Sequence, residues 1–559
     1  MKTDVRTDAA TAHVDTFARD RLPPREAWPE LIFERPELAY PARLNVATRL
    51  LDDAIARGWG ERTAIVAPGR VRWTYAELLA HANRIARVLV EDLGVVPGNR
   101  VLLRGPNGPQ MAACWFAVMK AGAIAVATMP LLRAGELATV IGKAQVSHAL
   151  CDARLAADLA AARTVSPSLA HVACWGTDDA AGLDARAARK ADGFRNVDTS
   201  AEDVALIAFT SGTTGVPKGT VHFHRDAIAA CDCWPRSMLK ASPDDLFTGS
   251  PPLAFTFGLG GLLLFPLSIG ASTLLVEKAP PDLLLAAIAA HRASVLFTAP
   301  TSYRAMAGLA RSHDLSCLRK CVSAGEALPA ATRALWREAT GIEIIDGIGA
   351  TEMLHIFISH EDAEARPGAT GRVVPGYRAC VMDDDGRPLP PGRIGRLAVK
   401  GPTGCRYLDD PRQSSYVKDG WNYTGDAYLM DEDGWFHFQA RTDDMIVSAG
   451  YNIAGPEVEG ALLLHPAVAE CACVGAPDAE RGEVVKAFVV LKPGHARDEA
   501  TTRALQEFVK GAIAPYKYPR RVEYVDALPR TETGKLQRFR LRELERTRAA
   551  AGPAQEGHS

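Results

Sequence analysis

The sequence has no excess of charge of either sign. Its 64 lysines and arginines nearly balance 66 aspartates and glutamates, which gives a formal net charge of −2 at pH 7. Proteins that bind nucleic acids or anionic membranes usually carry a basic excess or a basic patch. We therefore predict neither a nucleic acid nor a membrane as a partner.

Long uninterrupted hydrophobic runs are also missing. The first residues, MKTDVRTDAATAHVD, are polar and include acids, unlike a signal peptide or a membrane anchor. The most apolar stretch, residues 259–276, is interrupted by Pro266 and Gly270, so it is too broken to span a bilayer. These absences predict a cytoplasmic protein.

Paired cysteine motifs of the zinc-binding kind are absent as well. The eleven cysteines are scattered, and the closest pairs, Cys231 with Cys233 and Cys471 with Cys473, lie in segments rich in alanine and valine. Zinc ligands usually have wider spacings, with histidines or further cysteines nearby. We predict buried free thiols in a reducing cytosol.

The length of the chain and its pattern of apolar residues predict an α/β protein of at least two domains. A chain of 559 residues exceeds the usual size of one domain several times, and 47% hydrophobic residues can form a large core. Apolar runs typical of buried strands alternate with helical patterns, which predicts βαβ units and parallel sheets. The runs are residues 101–103, 124–127, 205–209, 272–276 and 295–297; the helical patterns are residues 74–93, 111–120 and 282–291.

The pattern changes after about residue 370. Short antiparallel strands are predicted at 395–401, 427–430 and 435–439, the last two joined through a turn at Asp433 and Gly434, and we interpret them as a small β-barrel-like subdomain. From Arg441 onward, a small α+β domain is predicted. Its helices begin at Pro456 and cover 501–510, and its strands are 484–491 and 522–525.

The segment TSGTTGVPKG, residues 210–219, has the composition of a phosphate-binding loop. Glycines allow positive φ and a close approach of backbone N–H groups to an anion, and hydroxyl groups and a lysine add donors. The order P-K-G differs from the G-K-[ST] of a Walker A loop. A flexible surface loop is the alternative reading of the same composition. The residues in question are Thr210, Ser211, Gly212, Thr213, Thr214, Gly215 and Lys218.

Six motifs in order resemble the adenylate-forming superfamily of acyl-CoA synthetases, luciferases and peptide-synthetase adenylation domains. After the 210–219 loop come SAGE at 323–326, GATE at 349–352, YTGD at 423–426, RTDD at 441–444 and PRTETGK at 529–535. The resemblance covers roughly residues 43–540. It implies ATP, Mg²⁺ and coenzyme A (as a substrate) as the small molecules that the enzyme uses.

The resemblance also implies a role for each matching residue. Gly325, Glu326, Asp346, Gly347 and Ile348 would lie on the adenine side, and Asp426 would hold the ribose. Thr351 would touch phosphate, Glu352 would hold Mg²⁺, and Lys535 would bridge the substrate carboxylate and the α-phosphate. Arg441 and Asp443 belong to the hinge segment, and Gly450 would line the pantetheine tunnel. Two positions depart from the family pattern: Ile348 stands where a tyrosine is frequent, and Ala440 where a glycine is frequent.

The same resemblance gives the domain organisation. We expect an N-terminal adenylation domain at residues 21–442, which binds ATP and the acid. A mobile C-terminal domain is expected at residues 443–549, with the catalytic lysine and the CoA-side loop. Residues 1–20 and 550–559 are expected to be flexible tails.

The acid is predicted to be aromatic. The segments DGIGATEMLHIF, residues 346–357, and FTFGLG, residues 255–260, resemble benzoate-CoA ligases, and the N-terminal block 15–43 resembles 2-aminobenzoate-CoA ligases within that branch. Position by position, Thr256, Phe257, Gly349, His355 and Ile356 would surround the ring. His355 could instead be a structural histidine, and a structural or solvated role is the expectation for His222 and His224.

Three alternatives stay open. The acid could be benzoate, a hydroxybenzoate or a medium-chain fatty acid. The protein could be a stand-alone adenylation module that loads a carrier protein, or an oxidative enzyme of the luciferase type, which no specific residue supports. Catabolism of aromatic compounds is the expected role, and the sequence makes no prediction of oligomeric state.

Overall fold

The structure, a computed structural model, describes residues 10–210, 217–448, 451–478, 480–530 and 536–550, with the backbone alone at residues 443, 451, 452 and 550. Within these ranges the chain forms two large mixed sheets, a smaller antiparallel sheet and a separate C-terminal sheet. The predicted division into a large N-terminal domain of parallel sheets and a small C-terminal domain is confirmed. The exact boundary at residues 441–444 stays a prediction.

A nine-stranded sheet forms one half of the N-terminal domain. Its order is β15-β14-β13-β12-β11-β9-β10-β1-β2, in which β13 to β1 run parallel and β2, β14 and β15 pair antiparallel. The strands are β1 (Thr63–Ala67), β2 (Val71–Thr74), β9 (Leu246–Gly249), β10 (Ser272–Leu274), β11 (Val295–Thr298), β12 (Lys320–Ser323), β13 (Ile344–Gly349), β14 (Ile356–Ser359) and β15 (Arg372–Val373).

A six-stranded sheet forms the other half, in the order β6-β5-β3-β4-β7-β8, with β8 antiparallel and the rest parallel. The strands are β3 (Arg100–Arg104), β4 (Ile124–Thr128), β5 (His148–Asp152), β6 (His171–Trp175), β7 (Val204–Thr210) and β8 (Lys218–Phe223). All five buried strands predicted from apolar runs are confirmed within a few residues. Parallel strands buried on both faces need such runs, which explains why they were visible in the sequence.

Helices cover the sheets. The pattern at 74–93 forms α3 and a following π-type turn, and α3 begins with a capping box in which the Thr74 hydroxyl accepts from Glu77 N–H and the Glu77 carboxylate accepts from Thr74 N–H. The helices are α1 (Phe17–Asp20), α2 (Asp53–Ala56), α3 (Tyr75–Arg87), α4 (Pro109–Lys120), α5 (Ala134–Ala144), α6 (Ala156–Thr164), α7 (Leu183–Ala188), α8 (His224–Asp232), α9 (Thr256–Leu259), α10 (Phe265–Ser268), α11 (Pro281–His291), α12 (Pro300–Ala307), α13 (Ala330–Thr340), α14 (Gln413–Tyr416), α15 (Gly455–Leu462), α16 (Glu499–Ala512) and α17 (Arg538–Ala550).

The predicted barrel-like subdomain is a five-stranded antiparallel sheet. Its order is β16-β17-β19-β18, with β20 also on β19, and this order does not close into a barrel among the described residues. The long strand β19 pairs with both β18 and β20, at different residues along its length. The strands are β16 (Arg378–Met382), β17 (Ile394–Lys400), β18 (Val417–Lys418), β19 (Trp421–Met430) and β20 (Phe436–Arg441).

The C-terminal domain has a sheet of its own, in the order β22-β21-β24-β23 with β25 parallel to β24. Apolar side chains of this sheet, α15 and α16 form a core separate from that of the N-terminal domain. The strands are β21 (Met445–Ser448), β22 (Tyr451–Ala454), β23 (Val468–Asp478), β24 (Gly482–Leu491) and β25 (Arg521–Tyr524). Throughout the described part of the chain, every helix is too short or too polar to cross a bilayer.

Candidate active site

The predicted site residues follow the carboxyl ends of parallel strands. Thr210 ends β7, Gly325 and Glu326 follow β12, Gly349 ends β13, and residues 250–257 follow β9. Ligands of open α/β sheets bind at this edge, so the topology of each sheet presents these residues to a ligand. Five loop residues lie outside the described ranges, and their contacts with phosphate stay predictions: Ser211, Gly212, Thr213, Thr214 and Gly215.

Lys218, at the start of β8, is joined to Glu352 through a tyrosine. Lys218 Nζ donates to Tyr407 Oη at 2.7 Å and lies 3.5 Å from Glu352 Oε1. Tyr407 donates to the same carboxylate oxygen at 2.5 Å. Burial, and then the charge of Glu352, raises the pKa of Tyr407, so its hydroxyl keeps its proton and remains a donor. The three side chains form one charge-assisted chain of hydrogen bonds.

Tyr407 reaches this position because its own segment pairs with β8. The N–H of Val221 donates to the carbonyl of Arg406, and the N–H of Leu408 donates to the carbonyl of Gly219, both at 2.8 Å. The Tyr407 ring therefore stands beside the side chain of the lysine that opens β8. Sequence motifs missed this tyrosine because only the pairing of distant segments brings it to Glu352.

The turn Thr351–Met353 is held from behind by two buried side chains. His222 Nε2 donates to the carbonyl of Thr351 at 2.7 Å, and the Thr403 hydroxyl donates to the carbonyl of Met353 at 2.8 Å. Leu354 follows with a φ of 68°, a conformation that costs energy for a non-glycine residue and that the surrounding contacts maintain. His222 is therefore structural, as predicted, and what it positions is the segment that carries Glu352.

Asp426 and Arg441 are direct partners on the antiparallel strands β19 and β20. The Arg441 guanidinium donates to Asp426 Oδ1 at 2.9 Å and to the carbonyl of Thr424 at 3.2 Å. The Asp426 carboxylate raises the pKa of Arg441. Gly425 has a φ of 77°, and a Cβ there would lie 2.8 Å from the Arg441 guanidinium, so glycine is required between them. The predicted ribose ligand and the first hinge residue thus form one unit.

The predicted adenine-side residues lie on β13 and after β12. A Cβ at Gly347 would lie 2.9 Å from Ile356 Cδ1, so the paired strands leave no room for a side chain. Ile348 is half-buried and keeps part of its apolar surface exposed. The carboxylate of Glu326, next to Gly325, lies 3.8 Å from the guanidinium of Arg530 in the C-terminal domain. This contact spans the two domains.

Asp346 is buried, and its ionisation is predicted to cost stability. Burial raises its pKa to about 7, against an opposing effect of Arg333. An unfolded Asp ionises near pH 4, so the contribution of Asp346 to stability is present at low pH and is lost as the pH rises to about 7. At pH 8, Asp346→Asn should raise the free energy of unfolding by about 2 to 4 kcal/mol.

Thermal unfolding between pH 4 and pH 8 measures this effect. The free energy of unfolding of Asp346→Asn should exceed that of the unmodified protein by an amount that grows with pH. The control, Asp384→Asn, changes a fully exposed carboxylate and should change the free energy of unfolding little at any pH. A difference that shrinks as the pH rises would contradict the assignment.

His355 lies in an aromatic cage. Its ring centroid is 4.4 Å from that of Phe265, in an edge-on arrangement, 5.7 Å from that of Phe257 and 5.8 Å from that of Trp234. Burial lowers the pKa of His355 to about 3, so the imidazole is neutral at physiological pH. Its Nε2 is 3.4 Å from the carbonyl of Phe257, and its buried Nδ1 has no hydrogen-bond partner among the described residues.

The remaining predicted pocket residues lie on two segments. Thr256 and Phe257 lie on α9, and Phe257 is only half-buried. Gly349 is exposed, and a Cβ there would lie 2.8 Å from the carbonyl oxygen of His355, so glycine is needed for the chain's own turn. Ile356 is 2% exposed and packs beneath Gly347, so it supports the pocket from below more than it forms a wall.

Gly260 is the residue after α9, and it sets how closely α9 can approach His355. A Cβ at this position would lie 2.4 Å from His355 Cδ2, so the helix can approach the imidazole only through a glycine. The backbone widens here into a π-type turn, Gly260–Leu264, a feature common at binding sites. We predict that Gly260→Ala displaces His355 or α9.

The expected result for Gly260→Ala is a rise of roughly tenfold in the KM for the acid, with the KM for ATP nearly unchanged, because a one-atom clash at a packed contact costs about 1–3 kcal/mol. Steady-state kinetics with each substrate varied separately measures both values. Gly308→Ala, where a Cβ meets no atom within 4 Å, is the matched control. Equal rises in both constants would contradict a local effect.

Three predicted residues have no described side chain or lie outside the described ranges. These are Asp443, Gly450 and Lys535. Their roles in the hinge, in the pantetheine tunnel and in catalysis stay predictions.

The arrangement around Glu352 suits a polyphosphate with a divalent cation. Glu352 Oε1 takes the hydrogen bond from Tyr407, while Oε2 has no partner within the described part of the chain, so one carboxylate oxygen can ligate. No cluster of three or more metal-ligating side chains occurs among the described residues. Mg²⁺ typically needs only one or two carboxylates when phosphates supply further ligands, so the residues present fit Mg²⁺. The cation would neutralise phosphate charge beside Lys218.

Comparison with known proteins identifies the family of this chain. The AMP-binding enzyme family matches residues 52–406, and the AMP-binding enzyme C-terminal domain matches residues 457–535. A benzoate-CoA ligase of Thauera aromatica is 35% identical over 517 residues, which cover 91% of this chain and 97% of that protein.

Solved structures give the same result. An anthranilate CoA ligase, AuaEII, solved with anthranoyl-AMP, is 34% identical, with a TM-score of 0.88, over 92% of this chain and 100% of that one. A benzoate CoA ligase from Burkholderia xenovorans LB400 is 32% identical, with a TM-score of 0.81, over 89% of this chain and 99% of that one. The resemblance stated from the motifs is confirmed: this chain belongs to the adenylate-forming superfamily of AMP-binding enzymes, in the benzoate-CoA ligase branch.

Proposed function

We propose that the protein is an ATP-dependent aryl acid:CoA ligase whose preferred acid is 2-aminobenzoate. The observation that carries this proposal is the unpartnered Nδ1 of His355 inside an otherwise apolar aromatic cage. The anthranilate CoA ligase at a TM-score of 0.88 supports the same substrate class.

The hydrogen-bond pattern around His355 supports an acceptor role for Nδ1. A carbonyl oxygen only accepts, so the Nε2 that faces Phe257 carries the proton of the neutral ring. Nδ1 is then an acceptor, and the lowered pKa of His355 keeps it so at physiological pH. An amino group on the ring of the acid supplies the missing donor, whereas benzoate leaves Nδ1 buried and unmatched at a cost of about 1–3 kcal/mol.

The reaction that we propose has two steps. A carboxylate oxygen of the acid attacks the α-phosphorus of ATP, and pyrophosphate leaves, which gives the aryl adenylate. The thiol sulfur of CoA then attacks the acyl carbon, loses its proton, and displaces AMP. Lys218, Thr351 and Glu352 position the departing phosphates, Asp426 holds the ribose, and Lys535 bridges the acid and the α-phosphate in the first step. Rotation about Asp443 then brings Gly450 to the site for the second step.

A panel of acids tests the proposal. We expect kcat/KM to be highest for 2-aminobenzoate and roughly 10- to 100-fold lower for benzoate and for 2-methylbenzoate, which has the same shape without a donor. Octanoate should be poorer still, because the cage has aromatic walls at fixed spacing. A preference for octanoate, or equal values for 2-aminobenzoate and 2-methylbenzoate, would reject it.

The acceptor of the acyl group needs a separate test. We expect AMP release from the aryl adenylate when CoA is added alone, without a carrier protein. Release only in the presence of a carrier protein would make the chain a stand-alone adenylation module.

A further inference from the structure

Two cysteines face each other across neighbouring strands of the six-stranded sheet. Cys151 on β5 and Cys174 on β6 are direct register partners in a parallel pair, so their side chains lie on the same face. Their thiols are close enough for each to shift the pKa of the other. Neighbouring strands are about 4.8 Å apart, and disulfide-bonded residues have Cα atoms roughly 4.4–6.8 Å apart. A bond between these sulfurs therefore needs only side-chain rotation and a small closure of the strands.

The two thiols differ in environment in a way that suits stepwise oxidation. Cys151 is buried in the apolar core of the sheet, whereas Cys174 is half-buried on β6, the edge strand, where a small molecule can reach it. The neighbouring Cys151 thiol lowers the pKa of Cys174, whereas the same interaction, together with burial, raises the pKa of Cys151. The sulfur of Cys151 also lies 3.2 Å from the carbonyl oxygen of Asp152.

No other cysteine of the chain shares this chemistry. All eleven are free thiols, and the other ten have a raised pKa, in nearly every case because burial disfavours the thiolate. The thiolate is the form that reacts with peroxides. Cys174 is therefore the thiol with the largest anionic fraction near neutral pH, and the sulfur beside it can complete a disulfide.

We propose that Cys151 and Cys174 form a reversible oxidation site, in which a hydroperoxide converts the dithiol to a disulfide between β5 and β6. The Cys174 thiolate attacks the O–O bond, takes one oxygen as a sulfenic acid and releases an alcohol or water. The Cys151 sulfur then attacks the Cys174 sulfur, and the oxygen leaves as water. In total the two thiols lose two protons and two electrons, and the hydroperoxide takes up both.

Mass spectrometry of the full-length protein treated with hydrogen peroxide tests the site. We expect a crosslinked peptide that joins Cys151 to Cys174, the loss of two of the eleven thiols under denaturing titration, and full recovery after addition of a small thiol. Cys380→Ser, at a half-buried cysteine whose pKa is raised to about 11, should give the same crosslink at the same rate.

Single substitutions separate the two roles. Cys151→Ser should leave Cys174 to proceed to sulfinic acid, because no second sulfur resolves the sulfenic acid. Cys174→Ser should remove the fast phase of oxidation and leave Cys151 reduced. A crosslink at other cysteines, or sulfinic acid on Cys174 of the unmodified protein while Cys151 stays a thiol, would overturn the proposal. Neither variant is needed for the crosslink measurement itself, so poor folding of a variant does not remove the test.

Discussion

Glu352→Gln is expected to lower kcat/KM for ATP–pyrophosphate exchange by roughly 100- to 1,000-fold, the range seen when one preorganised charge or donor is removed from an active site. The substitution keeps the shape of the side chain and its contact with Tyr407, but it removes the negative charge that faces Lys218. The variant should also bind Mg²⁺-ATP more weakly, which isothermal calorimetry measures without any turnover.

Two further variants make this prediction specific. Tyr407→Phe removes a hydrogen bond that orients Glu352 but no charge, so we expect a smaller loss, of roughly tenfold, and a higher Mg²⁺ concentration at half-maximal rate. Glu364→Gln, at an exposed carboxylate, should change neither quantity. A loss for Tyr407→Phe as large as that for Glu352→Gln would mean that the carboxylate acts only as a partner of the phenol.

His355→Leu is expected to remove the preference for 2-aminobenzoate. Leucine has a similar volume and suits the apolar cage of Trp234, Phe257 and Phe265. It cannot accept the amine N–H, so kcat/KM for 2-aminobenzoate should fall roughly 10- to 100-fold while that for benzoate stays equal or rises. The ratio of the two values is the measured quantity, because a general loss of activity cancels in it.

His355→Gln is the matched variant, since its amide oxygen restores an acceptor. We expect it to retain part of the preference. Because the pKa of His355 is lowered to about 3, the ratio for the unmodified protein should also be constant between pH 5.5 and 8.5. A ratio that changes through the usual titration range of histidine, or one that survives His355→Leu, would assign substrate recognition to another group.

The chemistry of the site was largely predictable because it is concentrated in short contiguous motifs. Lys218, Glu352, Asp426 and Arg441 each stand in a short motif that resembles one of the superfamily, and the structure places Lys218 beside Glu352, and Asp426 beside Arg441. Five of the buried parallel strands were predicted as well, because a strand covered on both faces is a nearly continuous apolar run.

The residues that hold these groups in place were not predictable from the sequence. Tyr407 acts from a segment more than fifty residues after Glu352, and Trp234 and Phe265 reach His355 from a helix boundary and a broken helix far earlier in the chain. Neither periodicity nor motif spacing predicts such contacts, because the contacts depend on which distant strands become neighbours. Among the described residues the antiparallel sheet does not close into a barrel, and this was not predictable for the same reason, because local turn signals predict antiparallel pairs but not the strand order.

The approach of Gly260 to the His355 imidazole has an evolutionary consequence. Two positions that share one contact change together, so their substitutions are epistatic and not additive. A larger residue at 260 clashes with the imidazole while histidine remains at 355, and a smaller residue at 355 relieves that clash. Lineages that change acid preference through both positions are therefore expected to replace His355 before Gly260, because the reverse order passes through the clash.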